Sequence, residues 1–542
     1  MITVNDENED WTIYVSGTVS GNASQHSTIV IDGTVQAKAL VIEGSGTNAT
    51  LTAANTKILV IEPSGTSNPP PVTLKNLTIT DSSSGIWVSS PTQVTITDCT
   101  IKDMDSDAAS IGLRVGNPDS VVTLNGSTKI SNCILRNNTN DCGVVFIAGT
   151  LIMKDNACIE NNEDASGVAN SGGGVTVCGG NVFLCGNATI KNNSSMHGGG
   201  IYAYDGAKLY IGYTRNTDGK PIAYDNFTGG IFDNTASGAG GGIYLSSSTN
   251  DGYAFTCLMH AGSIKGNTAN MGGGISLSGT PTTNDIFIMN GGTIADNTAT
   301  AGGGAILVHN RSFTIKGKAS IPCGSNNTND VLLSEKRIIT IEDELVNHNE
   351  GNPIALTLGE LENDSAAANG RVVATGVANQ SNKFKLLNGY YKLVEETNNN
   401  DSRDYKLAMD ISKVTEEQIR KVLSGGEGVS ETDNTNQDIL NYFSGPKTQR
   451  LFLQFSDDDD NLIDFYTAFE LVFDGRSSIT YSHSTTRNST PNSLTNKTFT
   501  FDDSNQWYLV DFDGDGTDDI SIHWNDNAIW IGQEYVKYYI FN

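Results

Sequence analysis

Apolar and polar residues alternate along most of this chain in runs of four or five. A period of two over so short a run marks a strand with one buried face. GGGIYAY (198–204) sets Ile201 and Ala203 on one side and Tyr202 and Tyr204 on the other. KLYIG (208–212) puts Leu209 and Ile211 together, and GGIFDN (229–234) closes the series. DIFIM (285–289) fills the middle place in a later copy. The N-terminal part reads alike, in WTIYVSGTVS (11–20), STIVIDGTVQ (27–36), KALVIEGSG (38–46), TKILVIEPSG (56–65), VTLKNLTIT (72–80) and VTITDCTIK (94–102). No stretch of period 3.6 is long enough for a helical repeat.

The strands recur in a fixed phrase. Gly-Gly-Gly stands at 172–174, 198–200, 240–242, 272–274 and 302–304, followed by Val175, Ile201, Ile243, Ile275 and Ala305. Upstream of each lies Ile-x-x-Asn, ending at Asn162, Asn193, Asn234, Asn267 and Asn297. Those asparagines are 31, 41, 33 and 30 residues apart. Such a period, with three short strands inside it, predicts a solenoid of the parallel β-helix kind. Each coil then pairs only with its neighbours, and equal positions fall on top of one another. A stacked asparagine can bond its own copy through the side-chain amide, so the five asparagines are expected to form a ladder at one corner. The glycines are expected to allow positive φ and close backbone approach.

Aligned on the glycines, the outward positions of the marked strand are Thr176, Tyr202, Tyr244, Ser276 and Ile306, with Tyr204 one step along. Tyr202, Tyr204 and Tyr244 form a candidate aromatic strip for a sugar or a protein loop.

Gly-Gly-Gly-[Ile/Val/Ala] paired with Ile-x-x-Asn resembles the repeats of chlamydial polymorphic outer-membrane proteins, written GGA[I/L/V] and FxxN. Similar repeats occur in right-handed β-helix surface proteins of spirochaetes and gut bacteria. The resemblance covers about residues 130–320 by motif. It implies a right-handed helix and an exported, surface-exposed bacterial passenger, often an adhesin. Ile replaces the Phe of FxxN throughout, and too little chain remains after the repeats for an autotransporter barrel.

Composition shifts near residue 409. The β-helix with its caps is expected over 1–408, and a helix and polar linker over 409–446. The helix carries a Thr415–Gln418 capping box and ends at Gly425. From 447 to 542 the chain turns aromatic and strand-rich, with about eight strands, enough for a small β-sandwich or barrel. The fold class is therefore all-β.

The sharpest chemical signal lies in that last part. DFDGDGTDD (511–519) places Asp511, Asp513 and Asp515 at spacing two, then Gly516, Thr517 and Asp519. Alternate carboxylates on a tight turn converge on one point and suit a hard cation with oxygen ligands, the Thr517 carbonyl among them. The segment resembles the calcium hairpin of FG-GAP and integrin-type repeats, DxDxDGxxD. It implies a structural calcium ion.

The totals narrow the function. Glycine is abundant at 58 residues, as turn-rich strand proteins require. With 33 basic and 61 acidic residues the net charge is −28, which repels nucleic acid and, without bridging calcium, polyanionic glycans. No basic run suits an anionic membrane, and no apolar run of about 18 residues would span one. Eight cysteines without CxxC spacing read as small core residues. Met1 is followed at once by a polar, acidic stretch, so an export signal is expected to have been removed.

Other motifs carry less. Asp457–Asp460 reads as a solvated loop. Arg215–Asp218 matches part of a polygalacturonase motif whose other members are missing. The seven histidines are scattered, with no carboxylate or nucleophile expected at a repeated position. The reading is a secreted or surface-exposed protein, without inserted membrane segments, that acts as a non-enzymatic adhesin or scaffold rod for a host or cell-surface protein or glycan. The alternative is a carbohydrate-active enzyme, lyase or glycoside hydrolase, on the same fold; a third is a purely structural spacer.

Overall fold

The computed structural model describes residues 5–410 apart from 22–27, 47, 107–109, 138–142, 170–171, 248–253, 280–284, 310–312, 325, 335–336, 360–369, 388, 390 and 399–401. Beyond them it describes Lys413 and the strands between Thr448 and Ile540. The chain divides into two units, one of residues 1–359, 373–387 and 397–404, the other of the remainder.

The first unit is a right-handed parallel β-solenoid of about 11 turns. One coil shows the plan. Ile201–Tyr204, Lys208–Ile211 and Gly230–Phe232 are its three strands, and a two-residue strand, Thr235–Ala236, follows the corner. Each pairs in parallel with its counterpart in the next coil, so that Ile201 lies on Ile243, Leu209 on Cys257, Ile231 on Ile264 and Thr235 on Thr268. Because the period is two, alternate residues of every strand point into the coil and stack there. Val122, Leu151, Val182, Leu209, Cys257 and Phe287 form one such column, all essentially inaccessible. Phe313 extends it, its ring stacked 5.1 Å from that of Phe287.

Cysteines belong to this interior. Cys99, Cys133, Cys158, Cys185 and Cys257 are buried, and burial pushes the thiols of Cys133 and Cys257 up to about 12. A thiol that resists ionisation is an inert packing group.

The corners are made by short polar residues as much as by glycine. After the third strand the chain turns through a left-handed residue, at Asp81, Asp103, Asn132, Asn161, Asn192, Asp233, Gly266 and Asp296, with φ between 53° and 72°. Asp and Asn tolerate this conformation because a short side chain can bond locally. In three of the glycine triplets only the first residue takes positive φ: Gly198, Gly240 and Gly272, at 62°, 69° and 62°. The next glycine is needed for closeness. A Cβ on Gly241 would sit 2.5 Å from the carbonyl oxygens of Gly273 and Thr268.

One alignment made on glycines alone is corrected by the register. Ile275 pairs with Ile306, so Gly303-Gly304-Ala305 takes the place of the triplet 272–274 and Gly302 is an inserted residue. Ile306 therefore faces inward and is fully buried, and Leu307 holds the outward position.

In the second unit Thr495–Thr500, Ser478–His483, Leu462–Asp474, Thr448–Ser456 and Val536–Ile540 form a five-stranded sheet in that order. Trp507–Val510, Ile520–Asn525 and Ala528–Gly532 form a three-stranded one. All these pairings are antiparallel. Apart from Met409, Asp410 and Lys413, the expected helix and linker over 409–446 lie outside the described residues, as do the acidic run 457–460 and the loop 511–519. No helix among the described residues is long and apolar enough to cross a membrane.

Candidate functional site

Two columns of side chains run along the solenoid, one at a corner and one on an outward face. The corner column is Asn162, Asn193, Asn234, Asn267 and Asn297, each fully buried. Each follows the left-handed residue of its corner, which aims the amide along the coil axis. Asn193 shows the unit of repetition. Its Oδ1 accepts from the backbone N–H and the Nδ2 of Asn162, both at 3.0 Å. Its Nδ2 donates to Oδ1 of Asn234 at 3.0 Å and to the Ile159 carbonyl at 3.1 Å. The same bonds recur at Asn234 and Asn267. Asn329 adds a rung, its Oδ1 accepting from the N–H of Asn297 at 3.1 Å. At the other end Oδ1 of Asn162 accepts from the Cys133 N–H at 3.0 Å.

Next to the last rung, Asp330 closes the glycine column. Its carboxylate accepts from the N–H groups of Gly304 and Gly303 at 2.6 and 3.3 Å and from the Thr357 hydroxyl at 2.5 Å. It supplies acceptors where no further glycine triplet follows. Both columns at this corner are structural: every polar group in them is spent on a neighbour.

The outward column of the glycine-marked sheet carries the aromatic side chains. In register it reads Val60, Trp87, Arg114, Phe146, Thr176, Tyr202, Tyr244, Ser276 and Leu307. The rings of Tyr202 and Tyr244 stack at 5.2 Å, and Tyr204 meets Tyr202 edge-on at 5.4 Å. His197 adds a fourth ring, 4.9 Å from Tyr244. Its Nδ1 accepts from the Ala239 N–H at 3.0 Å, and burial holds its pKa below the usual histidine range, so the ring is a neutral stacking partner. The expected flat strip is narrower than the sequence implies. Thr176 and Ser276 are fully covered and Tyr202 is 5% exposed, leaving Tyr244 and Tyr204 partly open. The Thr176 hydroxyl, for example, accepts from the Gly172 N–H at 2.8 Å, under the loop that enters its strand.

Two clusters escaped sequence reasoning. Trp87, Arg114 and Phe146 share the outward column in coils without glycine triplets, and Lys57 joins them across the Trp87 ring. The second corrects the reading of the histidines. His260 has a carboxylate partner, its Nε2 lying 2.5 Å from Oδ1 of Asp225. Its Nδ1 lies 3.2 Å from Oδ1 of Asn290, whose Nδ2 donates to the Tyr213 hydroxyl at 3.4 Å. Asp225 and Tyr213 belong to the inserted segment of the longest repeat, which includes the hairpin Tyr213–Arg215 and Pro221–Ala223. That segment seals Phe183 and Tyr210 on the outer face of the middle sheet.

Among the described residues no group of three or more His, Cys, Asp or Glu converges on a metal-sized site. Asp511, Asp513, Asp515, Thr517 and Asp519 lie outside them.

Right-handed β-helices of this type occur in surface proteins and in pectate-lyase-like and glycosidase-like enzymes alike. No curated protein and no solved structure matches the chain. A family model described as the right handed beta helix region matches residues 38–217.

Proposed function

We propose that this protein is a secreted or surface-exposed bacterial recognition protein, a non-enzymatic adhesin whose ligand is a glycan or protein of a host or cell surface. The observation that carries this reading is the outward column of the glycine-marked sheet. It stacks Tyr202 on Tyr244 in adjacent coils and leaves Tyr244 and Tyr204 partly open, on a solenoid that supplies a repeated support. Two partly open rings side by side suit contact with a sugar face or an apolar protein loop. Calcium, held by Asp511, Asp513, Asp515, Asp519 and the Thr517 carbonyl, is assigned a structural part.

The His260–Asp225 pair beside Tyr213 favours a second reading, cleavage of a polysaccharide, in which the carboxylate holds the imidazole at Nε2 and Nδ1 exchanges its Asn290 contact for the substrate proton. A glycan array run beside a reducing-sugar release assay separates the two. Binding without release supports the adhesin. Release that is lost in His260→Ala supports the enzyme and overturns the first reading. Chelation with EGTA is expected to lower the unfolding temperature of the C-terminal unit, and an unchanged transition would remove calcium from the account.

A further inference from the structure

The later coils present an uncharged face. From the residue after each ladder asparagine to the end of the glycine-marked strand, the stretches 194–204, 235–247, 268–279 and 298–308 contain no Asp, Glu, Lys or Arg. The chain as a whole has 17% charged residues and a net charge of −28. In the same coils the third strands carry Lys191 and Lys265, and a middle strand carries Lys208. Charge is therefore kept off one side of these coils rather than missing from them.

Two outward columns cross that face. Tyr202, Tyr244 and Ser276 form the first. Ala203 pairs with Leu245 and Ser246 with Ser278, which sets Tyr204, Ser246 and Ser278 in the second. Tyr204, Tyr244, Ser246 and Ser278 are partly open. Tyr202, 5% exposed, holds the two open rings in place, stacked on Tyr244 and edge-on to Tyr204. The accessible chemistry is thus two aromatic rings and two hydroxyls.

An acidic sugar finds no cation in these stretches and meets the negative field of the chain. A protein loop seeks an apolar interface core, whereas hydroxyls stand here beside the rings. A neutral sugar has the matching chemistry: C–H groups for the rings, and hydroxyls that exchange hydrogen bonds with Ser246 and Ser278. We propose that Tyr204, Tyr244, Ser246 and Ser278 bind a neutral, linear glycan lying along the solenoid axis. This rests on the recognition reading above and names the class and direction of its ligand. Equivalent positions recur from coil to coil at about 4.8 Å, so successive sugars along the axis meet Tyr204, then Ser246, then Ser278.

Titration calorimetry of the full chain tests this, with oligosaccharides of cellulose, β-1,3-glucan, mannan and xylan as the neutral probes and oligogalacturonate as the acidic one. A neutral series is expected to bind saturably, with affinity rising from one sugar to about three, the span of three coils, and oligogalacturonate to be at least about tenfold weaker. Ser246→Glu should weaken the neutral ligand by about tenfold or more, with Ser246→Gln retaining it. Tyr244→Ala should weaken it by about tenfold, with Tyr244→Phe retaining it. No binding by any neutral series, oligogalacturonate as strong as the neutral ligand, or full affinity in a folded Ser246→Glu or Tyr244→Ala protein each overturns the site. Array binding to acidic glycans or to proteins that survives both substitutions would leave the adhesin reading standing and remove this one; no binding of any kind would remove both.

Discussion

The same corner is built in two ways along the solenoid. In the earlier coils the residue after the left-handed turn is Ser82, Met104 or Cys133; from Asn162 onward it is asparagine. The turn itself is alike in both regions, with φ between 53° and 55° at Asp81, Asp103, Asn132 and Asn161. The left-handed residue therefore shapes the corner, and the asparagine does something else. It joins each coil to its neighbours through bonds inaccessible to water, where Met104 and Cys133 fill the same space with apolar atoms. A buried amide is worth having there only if its partners are all present. The asparagine-marked coils gain their order from a column that stands or falls together; the earlier coils gain it from independent packing.

The largest effect expected from breaking that difference is at Asn234. Asn234→Ala takes the side-chain acceptor from the N–H and Nδ2 of Asn193 and the side-chain donor from Oδ1 of Asn267 and the Ile190 carbonyl, while Asn193 Nδ2 keeps the Ile159 carbonyl and Asn267 Oδ1 keeps the backbone N–H of residue 234. The expected cost is about 4 kcal/mol in denaturant unfolding. A loss under about 1 kcal/mol would mean the column contributes little beyond volume.

Gly241→Ala comes next, at about 3 kcal/mol, since its Cβ would meet two backbone carbonyls of the next coil. Ala305 occupies the equivalent of the third glycine without harm, because the coil beyond it presents Asp330 in place of another triplet. A tolerated Gly241→Ala would show that the coils can part locally.

Asp164 sharpens the comparison through pH. It follows Asn162 on the two-residue strand Glu163–Asp164, with Oδ1 bonded to the Ser166 N–H and hydroxyl and Oδ2 buried without a partner. Burial pushes its carboxyl up from 3.8 to about 6, although the Ser166 bonds pull it down. The folded state thus binds this proton more tightly than the unfolded state. Its contribution is greatest at low pH and is lost as pH rises from about 4 to about 6, by roughly 2–3 kcal/mol. Asp164→Asn should flatten that part of the stability–pH curve, and an unchanged slope would relocate the effect.

Cys133→Asn is the mildest change. It extends the ladder by one rung toward Met104, and stability should move by no more than about 1 kcal/mol. A cost above about 3 kcal/mol would mean the earlier coils cannot accept the other construction.

Much of this architecture is legible in the sequence, for a physical reason. Strand alternation is local, and a stack repeats its environment, so Ile-x-x-Asn recurs wherever the corner does. What escaped was set by register or by distance. A count of glycines cannot say which of Gly302, Gly303 and Gly304 begins the triplet, and aligning on the first of them turns Ile306 outward. Asn329 follows Ile321 at eight residues where the other rungs follow an isoleucine at three, so the sixth rung carried no motif. Trp87, Arg114 and Phe146 meet only once coils of unequal length are laid on one another. His260 meets Asp225 because an insertion folds back across the sheet.

Hydrogen exchange across the native solenoid tests the central contrast most directly. If the asparagine column binds its coils into one cooperative block, peptides spanning Asn162 to Asn329 should be the most protected and should open together, with 72–125 exchanging earlier. Protection that is uniform along the solenoid, or greater in 72–125 than around Asn234, would contradict the account.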